Sequence, residues 1–212
     1  MRQAEHGTKE KILSAALDLF CVDGYSTVSI RDIGKTVGIK ESSIYYHFKN
    51  KEDILYSLFR KSEQWIQVRK EQFIQALEAV PEVEREKFIS AGIAYLEGYL
   101  LEENINKLIR LLTIEKQRNA EAAELYRQLL FSVPLDHHKR VFSFMMDKGW
   151  MEGDDAEHLA AEYQSKILYV FHKYFSGSVV EATSEERALA LLELSSLLGR
   201  FFDQYRGGGS LK

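Results

Sequence analysis

The chain has 212 residues, with 28 Lys and Arg against 32 Asp and Glu, one Cys, two Pro and thirteen Gly. That length buries a substantial core; so few prolines leave long helical stretches and disfavour a sandwich or barrel; and a lone cysteine excludes a disulfide framework. With no secretory h-region and no apolar run long enough to span a bilayer, a soluble, cytoplasmic, all-α protein is expected.

In chain order, Thr8 is expected to cap a first helix that buries Ile12, Ala16, Leu19 and Phe20 and ends near Asp23 and Gly24. Cys21, beside Phe20, reads as a small buried hydrophobe rather than a redox sensor. The run from Ser29 to Lys51, SIRDIGKTVGIKESSIYYHFKNK, carries two helix signals separated by a turn. Ser29 with Asp32 fits a capping box, Ile30, Ile33 and Val37 share one face, and Gly38 supplies a left-handed stop. After the turn, Ile44 and Phe48 sit four apart as anchors, and Ser42, Ser43, Tyr45, Tyr46 and His47 point elsewhere. Hydroxyls, phenols and an imidazole on one short helix suit phosphates and base edges. Asn50 with Asp53 signals another helix from about Lys51, whose ammonium then lies beside a helix amino terminus suited to a phosphate.

On these residues a resemblance can be stated. Ala15-Ala16, Leu19-Phe20, Gly24-Tyr25, Asp32-Ile33, Val37-Gly38-Ile39 and the run Ile44 to Lys51, within Lys9 to Phe59, resemble the amino-terminal domain of the TetR (tetracycline repressor) family. The resemblance covers about a quarter of the chain. It implies an all-helical, homodimeric regulator of transcription, usually a repressor, with a helix-turn-helix at residues 1–52 and a larger helical ligand-binding and dimerisation domain at 53–206; the Gly207-Gly208-Gly209-Ser210 run makes 207–212 a flexible tail. Against the family motif, Arg31 is a candidate for a major-groove guanine, or else a surface arginine on phosphate or Asp32. Ser42, Ser43 and Tyr45 are candidates for bases, and Thr27, Ser29, Tyr46, His47 and Lys51 for phosphates. Lys40 stands where Ser or Thr often begins the recognition helix, which weakens capping and offers a phosphate contact. Glu41 either accepts from a cytosine amine or faces away. Residues 1–60 carry 9 basic and 8 acidic side chains, leaving 19 and 24 for the rest, so DNA binding depends on where the charges point and is expected to be salt-sensitive.

Beyond Lys51 a long helix is expected through Leu58, Trp65 and Phe73 to about Ala79, ended by Val80-Pro81. Further helices are expected over 84–101 and 105–117, and from Glu121 to Lys148 with a break or kink at Pro134. A turn at 149–154 leads into a helix to about Ser176, and a last one runs from Ser184 to Tyr205. In the last helix Leu191, Leu194, Leu198, Phe201 and Tyr205 form one stripe and Ala188, Leu192, Ser195, Gly199 and Phe202 a second; the helix before it pairs Leu159, Tyr163, Ile167, Val170 and Tyr174 with Ala160, Leu168, Phe171 and Phe175. Doubly apolar helices suit either a two-fold dimer interface or the centre of a monomer core. The dimer reading places Leu168, Phe171, Phe175, Ala188, Leu192, Ser195, Gly199 and Phe202 between subunits, sets two reading helices about 34–36 Å apart and calls for a palindromic operator on double-stranded DNA.

Trp65, Phe88, Tyr95, Tyr99, Tyr126, Phe131, Phe142 and Phe171, with Gly92 and Gly98 leaving room, are candidates for an apolar or aromatic effector site, or else fill a core. His137-His138 reads as a solvated pair rather than a metal site, and His172 as an interior histidine. No metal, cofactor or catalytic residue is expected, for there is no nucleophile motif, phosphate loop or metal-spaced ligand set. The expectation is a sequence-specific, ligand-released transcriptional repressor of unknown effector. The alternative is a DNA-binding regulator or chromosome-associated protein controlled by a protein partner.

Overall fold

A computed structural model describes residues 2–61, 83–153, 155–176 and 182–207. The chain is all-α, as expected: α1 (Arg2–Asp23), α2 (Ile30–Val37), α3 (Glu41–His47), α4 (helical over 51–61), α5 (Arg85–Tyr95), α6 (Glu103–Glu115), α7 (Ala120–Arg127), α8 (Val133–Asp147), α9 (Ala156–Phe175) and α10 (Ser184–Tyr205). Two π-helical turns, Leu96–Leu100 and Gln128–Ser132, continue α5 and α7.

Most boundaries follow their local signals. Ser29 and Asp32 form the expected capping box on α2, and Gly38, at φ 77°, ends that helix in the left-handed region. Asn50 accepts from the Asp53 amide at 2.8 Å at the start of α4. A second capping box, Thr183 with Glu186, opens α10. Two boundaries differ from expectation. Thr8 does not cap α1, which begins at Arg2; Arg2, Gln3, Ala4 and Glu5 are good helix formers and carry the helix through a residue that costs little inside it. The break expected at Pro134 is displaced to the π turn before it, and the proline occupies the first turn of α8, where a missing amide proton costs nothing.

Packing draws two compact units, each discontinuous in sequence: residues 1–69 with 103–126, and 70–102 with 127–212. This differs from the linear division at 52 and 53, because α6 and most of α7 belong with the amino-terminal helices. The expected course of the long helix beyond residue 61, with Trp65, Phe73 and Pro81, and the tail from residue 208 lie outside the described residues.

In the first unit α1 packs on α2 and α6, and α2 on α3. Its centre is Ile12, Ala16, Phe20, Ile33, Ile44, Phe48, Ile54 and Leu55 from the amino-terminal helices with Leu111 and Leu112 from α6, all essentially inaccessible. Cys21 is buried there as expected, its thiol donating to the Asp18 carbonyl at 3.2 Å. In the second unit α9 packs between α8 and α10, and α10 also covers α5. Phe88 stacks on Phe201 with centroids 5.9 Å apart, and Phe142 and Tyr163 close the cluster at 5.5–5.6 Å.

Candidate nucleic-acid interface

Two side chains hold α3 in place. Ile44 and Phe48 are fully buried against the first-unit core, and the helix is only seven residues long. With those two facing inward, the 3.6-residue period turns Ser42, Ser43, Tyr45 and Tyr46 outward. Tyr45 is 53% and Tyr46 73% exposed, an unusual state for large aromatics in a folded protein. His47 is half-buried, edge-on to Tyr46 at 5.1 Å. Lys40 occupies the cap position of α3 without a side-chain cap bond, as expected, and it, Glu41, Arg31 and Thr27 are all exposed. The helix-turn-helix therefore presents exposed hydroxyls, phenols and cations, among them Arg31, Lys35, Lys40 and Lys49.

Ser29 and Lys51 are placed differently from the other candidates. The Ser29 hydroxyl accepts from the Asp32 amide and donates to the Asp32 carboxylate, and the Ser29 amide donates to that same carboxylate at 2.9 Å. These hydrogen bonds hold the Asp32 carboxyl below its usual range. Lys51 donates to the carbonyls of Tyr25 and Val28, each at 2.7 Å, and lies 4.3 Å from the centre of the Tyr25 ring. Its burial lowers the ammonium's pKa, opposed by the nearby Glu115 carboxylate. The structure thus gives Lys51 a role that the sequence reading did not: it ties the α1–α2 loop to the start of α4.

A second support comes from a residue that sequence reasoning missed. Glu115, at the end of α6, is buried, accepts from the Tyr25 amide at 3.1 Å and pairs with Arg118 at 3.1 Å. Gly24, at φ 80°, makes the turn that delivers that amide. A signal for Glu115 does exist: Ile105, Leu108, Leu111, Leu112 and Glu115 share the apolar face of α6, so a carboxylate sits where the helix is buried. Its partner, however, lies 90 residues away in sequence.

Residues 12–58 match the family model described as bacterial regulatory proteins, tetR family. The helix-turn-helix domain is a TetR-family domain. Its sequence is similar to that of the negative transcriptional regulator IcaR of the icaADBC biofilm operon in Staphylococcus epidermidis, 46% identical over 54 residues, or 26% of this chain and 27% of IcaR. The matched stretch thus spans about a quarter of that relative's length. The fold of the whole chain is similar to that of a TetR-family regulator from Mesorhizobium loti, with TM-score 0.73 and 18% identity over 95% of this chain and 98% of the other. It is also similar to SmeT in complex with triclosan, with TM-score 0.67 and 20% identity over 96% and 93%.

Outside this TetR-family domain, the expected effector residues have unlike surroundings. Trp65 lies outside the described residues, Phe131 is 42% exposed, and Tyr126 belongs to the first unit, beneath the Lys116 ammonium at 3.7 Å. Phe88 and Phe142 belong to the aromatic core, and Phe171 is fully buried. Tyr95 and Tyr99 do pair, stacked at 5.1 Å. The space beside Gly92 is already filled by Leu198 and the Tyr163 hydroxyl. The histidines need correction. His138 is buried, not solvated, and burial with His137 nearby pushes its imidazole down to about 3. His172 is exposed, not interior, its ring 3.0 Å from the Ser176 hydroxyl.

The expected dimer stripes also divide. Leu168, Phe171, Gly199 and Phe202 are buried within the second unit, whereas Ala188 and Leu192 are exposed, Leu192 by 69%. Phe175 and Ser195 are half-buried. Gly199 makes room for the Arg85 guanidinium, which Asp203 holds at 3.0 Å, so its small size serves its own subunit. The large apolar residues left exposed on the described parts of α9 and α10 are Tyr169, Leu189 and Leu192. Among the described residues no helix is long and apolar enough to cross a membrane, and no cluster of His, Cys, Asp or Glu is able to hold a metal ion.

Proposed function

We infer that this protein is a cytoplasmic, sequence-specific DNA-binding regulator of transcription, a homodimer that represses from a palindromic operator and is released by a small apolar or aromatic effector. The observation that carries this reading is the exposed face of Ser42, Ser43, Tyr45 and Tyr46 raised over the buried Ile44 and Phe48. A major groove offers acceptors, thymine methyls and phosphates to such exposed hydroxyls and phenols. The similarity to IcaR, a negative regulator, favours repression, and the similarity in fold to SmeT, whose structure is a complex with triclosan, favours a small effector.

Operator selection from random duplexes on the purified chain tests the reading. An inverted repeat is the expected result, with affinity falling as salt rises. Tyr45→Ala is expected to weaken binding to the selected duplex about tenfold, the cost of one lost base contact at ~1–3 kcal/mol, with an unchanged melting temperature. Selection that returns no consensus would sink the assignment.

A further inference from the structure

We propose that Tyr95, Gln164 and His138 form the recognition point for the effector, and that the effector is a neutral aromatic molecule bearing a hydroxyl group. The proposal rests on the reading of the chain as a ligand-released regulator. Gln164, on α9, is 2% exposed. Its amide nitrogen donates to the Leu130 carbonyl at 3.0 Å and lies 3.5 Å from the Tyr95 hydroxyl. Because a backbone carbonyl only accepts, this contact fixes which way the side-chain amide faces. Gln164 Oε1 is then a buried acceptor without a partner. His138, on α8, is 5% exposed, and its Nδ1 is likewise buried without a partner. Its ring is wedged edge-on between Tyr95, at 5.0 Å, and Tyr163, at 4.8 Å. Both residues therefore adjoin Tyr95, Gln164 through its amide nitrogen and His138 through its ring.

The backbone singles out the same place. The π turn Leu96–Leu100 starts directly after Tyr95, and the π turn Gln128–Ser132 supplies the Leu130 carbonyl that orients Gln164 and the Leu129 carbonyl that accepts from Tyr99 at 2.9 Å. Isolated π turns interrupt α-helices mostly where function requires it, because they sacrifice regular hydrogen bonds. Native proteins rarely leave buried polar atoms unmatched, so two on residues that both neighbour Tyr95 mark a position awaiting a polar group.

The chemistry of that group follows from the lining. A carboxamide oxygen requires a donor, which a hydroxyl supplies. A neutral imidazole nitrogen then accepts from or donates to the same oxygen according to its tautomer. Among the described residues of this unit the buried polar side chains are His138 and Gln164, with no buried carboxylate or ammonium to match a ligand charge, so the ligand is uncharged. The stacked Tyr95 and Tyr99 rings offer an aromatic wall to the body of the ligand.

The test uses the full chain with 2-naphthol, naphthalene and 2-naphthoate as probes, followed by calorimetry and thermal melting. 2-Naphthol is expected to bind and raise the melting temperature, and the other two to bind at least about tenfold more weakly, since a site built for a hydroxyl rejects the analogue without one. Gln164→Leu should abolish this preference while keeping or raising the melting temperature of the free protein. His138→Phe provides a second variant, expected to lower 2-naphthol affinity and leave naphthalene binding intact. Equal binding of 2-naphthol and naphthalene, no binding of 2-naphthol up to millimolar, or an unaltered preference in both variants would overturn the proposal and leave the two atoms to a structural water. Operator binding, measured separately with the selected duplex, keeps the two readings apart. A chain that binds its operator but not 2-naphthol loses this site alone; one that binds 2-naphthol at Gln164 without releasing DNA keeps the site and loses the ligand-release reading.

Discussion

Lys51 spends its ammonium on the protein before any phosphate reaches it. Two carbonyls of the α1–α2 loop, Tyr25 and Val28, share its protons in a partly buried setting, and hydrogen bonds to a charged group contribute about 1.5–3 kcal/mol each. Lys51→Ala is therefore expected to lower the unfolding free energy by about 2 kcal/mol in a urea titration, a loss that a purely DNA-contacting lysine would not produce. His138 contributes through the opposite effect, a charge kept out. Burial holds its imidazole near 3 when folded, against about 6.5 in an unfolded chain. The unfolded state thus binds the extra proton first, and the stability that comes with a neutral His138 is complete above about pH 6.5 and lost as the pH falls toward 3. The limiting slope is ~1.4 kcal/mol per pH unit for one proton. Tyr95 and Tyr163 face the ring, both pushed above the ordinary tyrosine range by burial, and His137 adjoins it on α8. Replacing His138 by Phe should flatten the acid limb of stability against pH between about 6 and 4.

At the scale of the element, α6 is the helix whose role was least visible from its sequence. Glu115 joins its end to the Tyr25 amide, 90 residues away in sequence. Glu115→Ala removes that acceptor and the Arg118 pair, and should cost about 2 kcal/mol, moderated because Arg118 is largely in water. Glu115→Gln keeps an acceptor for Tyr25 and should recover about half of the loss, with denaturant midpoints as the readout. The contrast with α2 shows what a sequence can carry. Ser29, Asp32 and Gly38 settle the ends of α2 by bonds spanning three or four residues, so they were legible. So were the Ile44 and Phe48 anchors, since helical spacing alone turns the tyrosines outward. The burial of His138, the use of Gly199 by Arg85 and the engagement of Lys51 by the α1–α2 loop all depend on partners from other helices, which no local pattern announces. Aromatic content left two readings open in the same way, and Phe88 and Phe142 pack on one another across α5 and α8.

For the whole molecule, the proposed assembly rests on what the second unit leaves uncovered. Leu189 and Leu192 lie three apart on α10, and Tyr169 is exposed on the adjacent α9. A dimer that buries this face should fall apart in Leu192→Glu, detected as a monomer at micromolar concentration by sedimentation, with operator affinity lost and the fold retained. Phe202→Leu, in the core, should lower stability and leave the dimer intact. The division into units carries a consequence for how the reader comes into being. Ribosomes release the amino-terminal helices first, yet the Tyr25 amide has no Glu115 to receive it until 90 further residues have been joined. At ~5–20 residues per second that is a wait of roughly 5–18 s. Through that interval the nascent helix-turn-helix lacks the α6 side of its core, so a newly made chain completes its reading head only after roughly half of it has been synthesised.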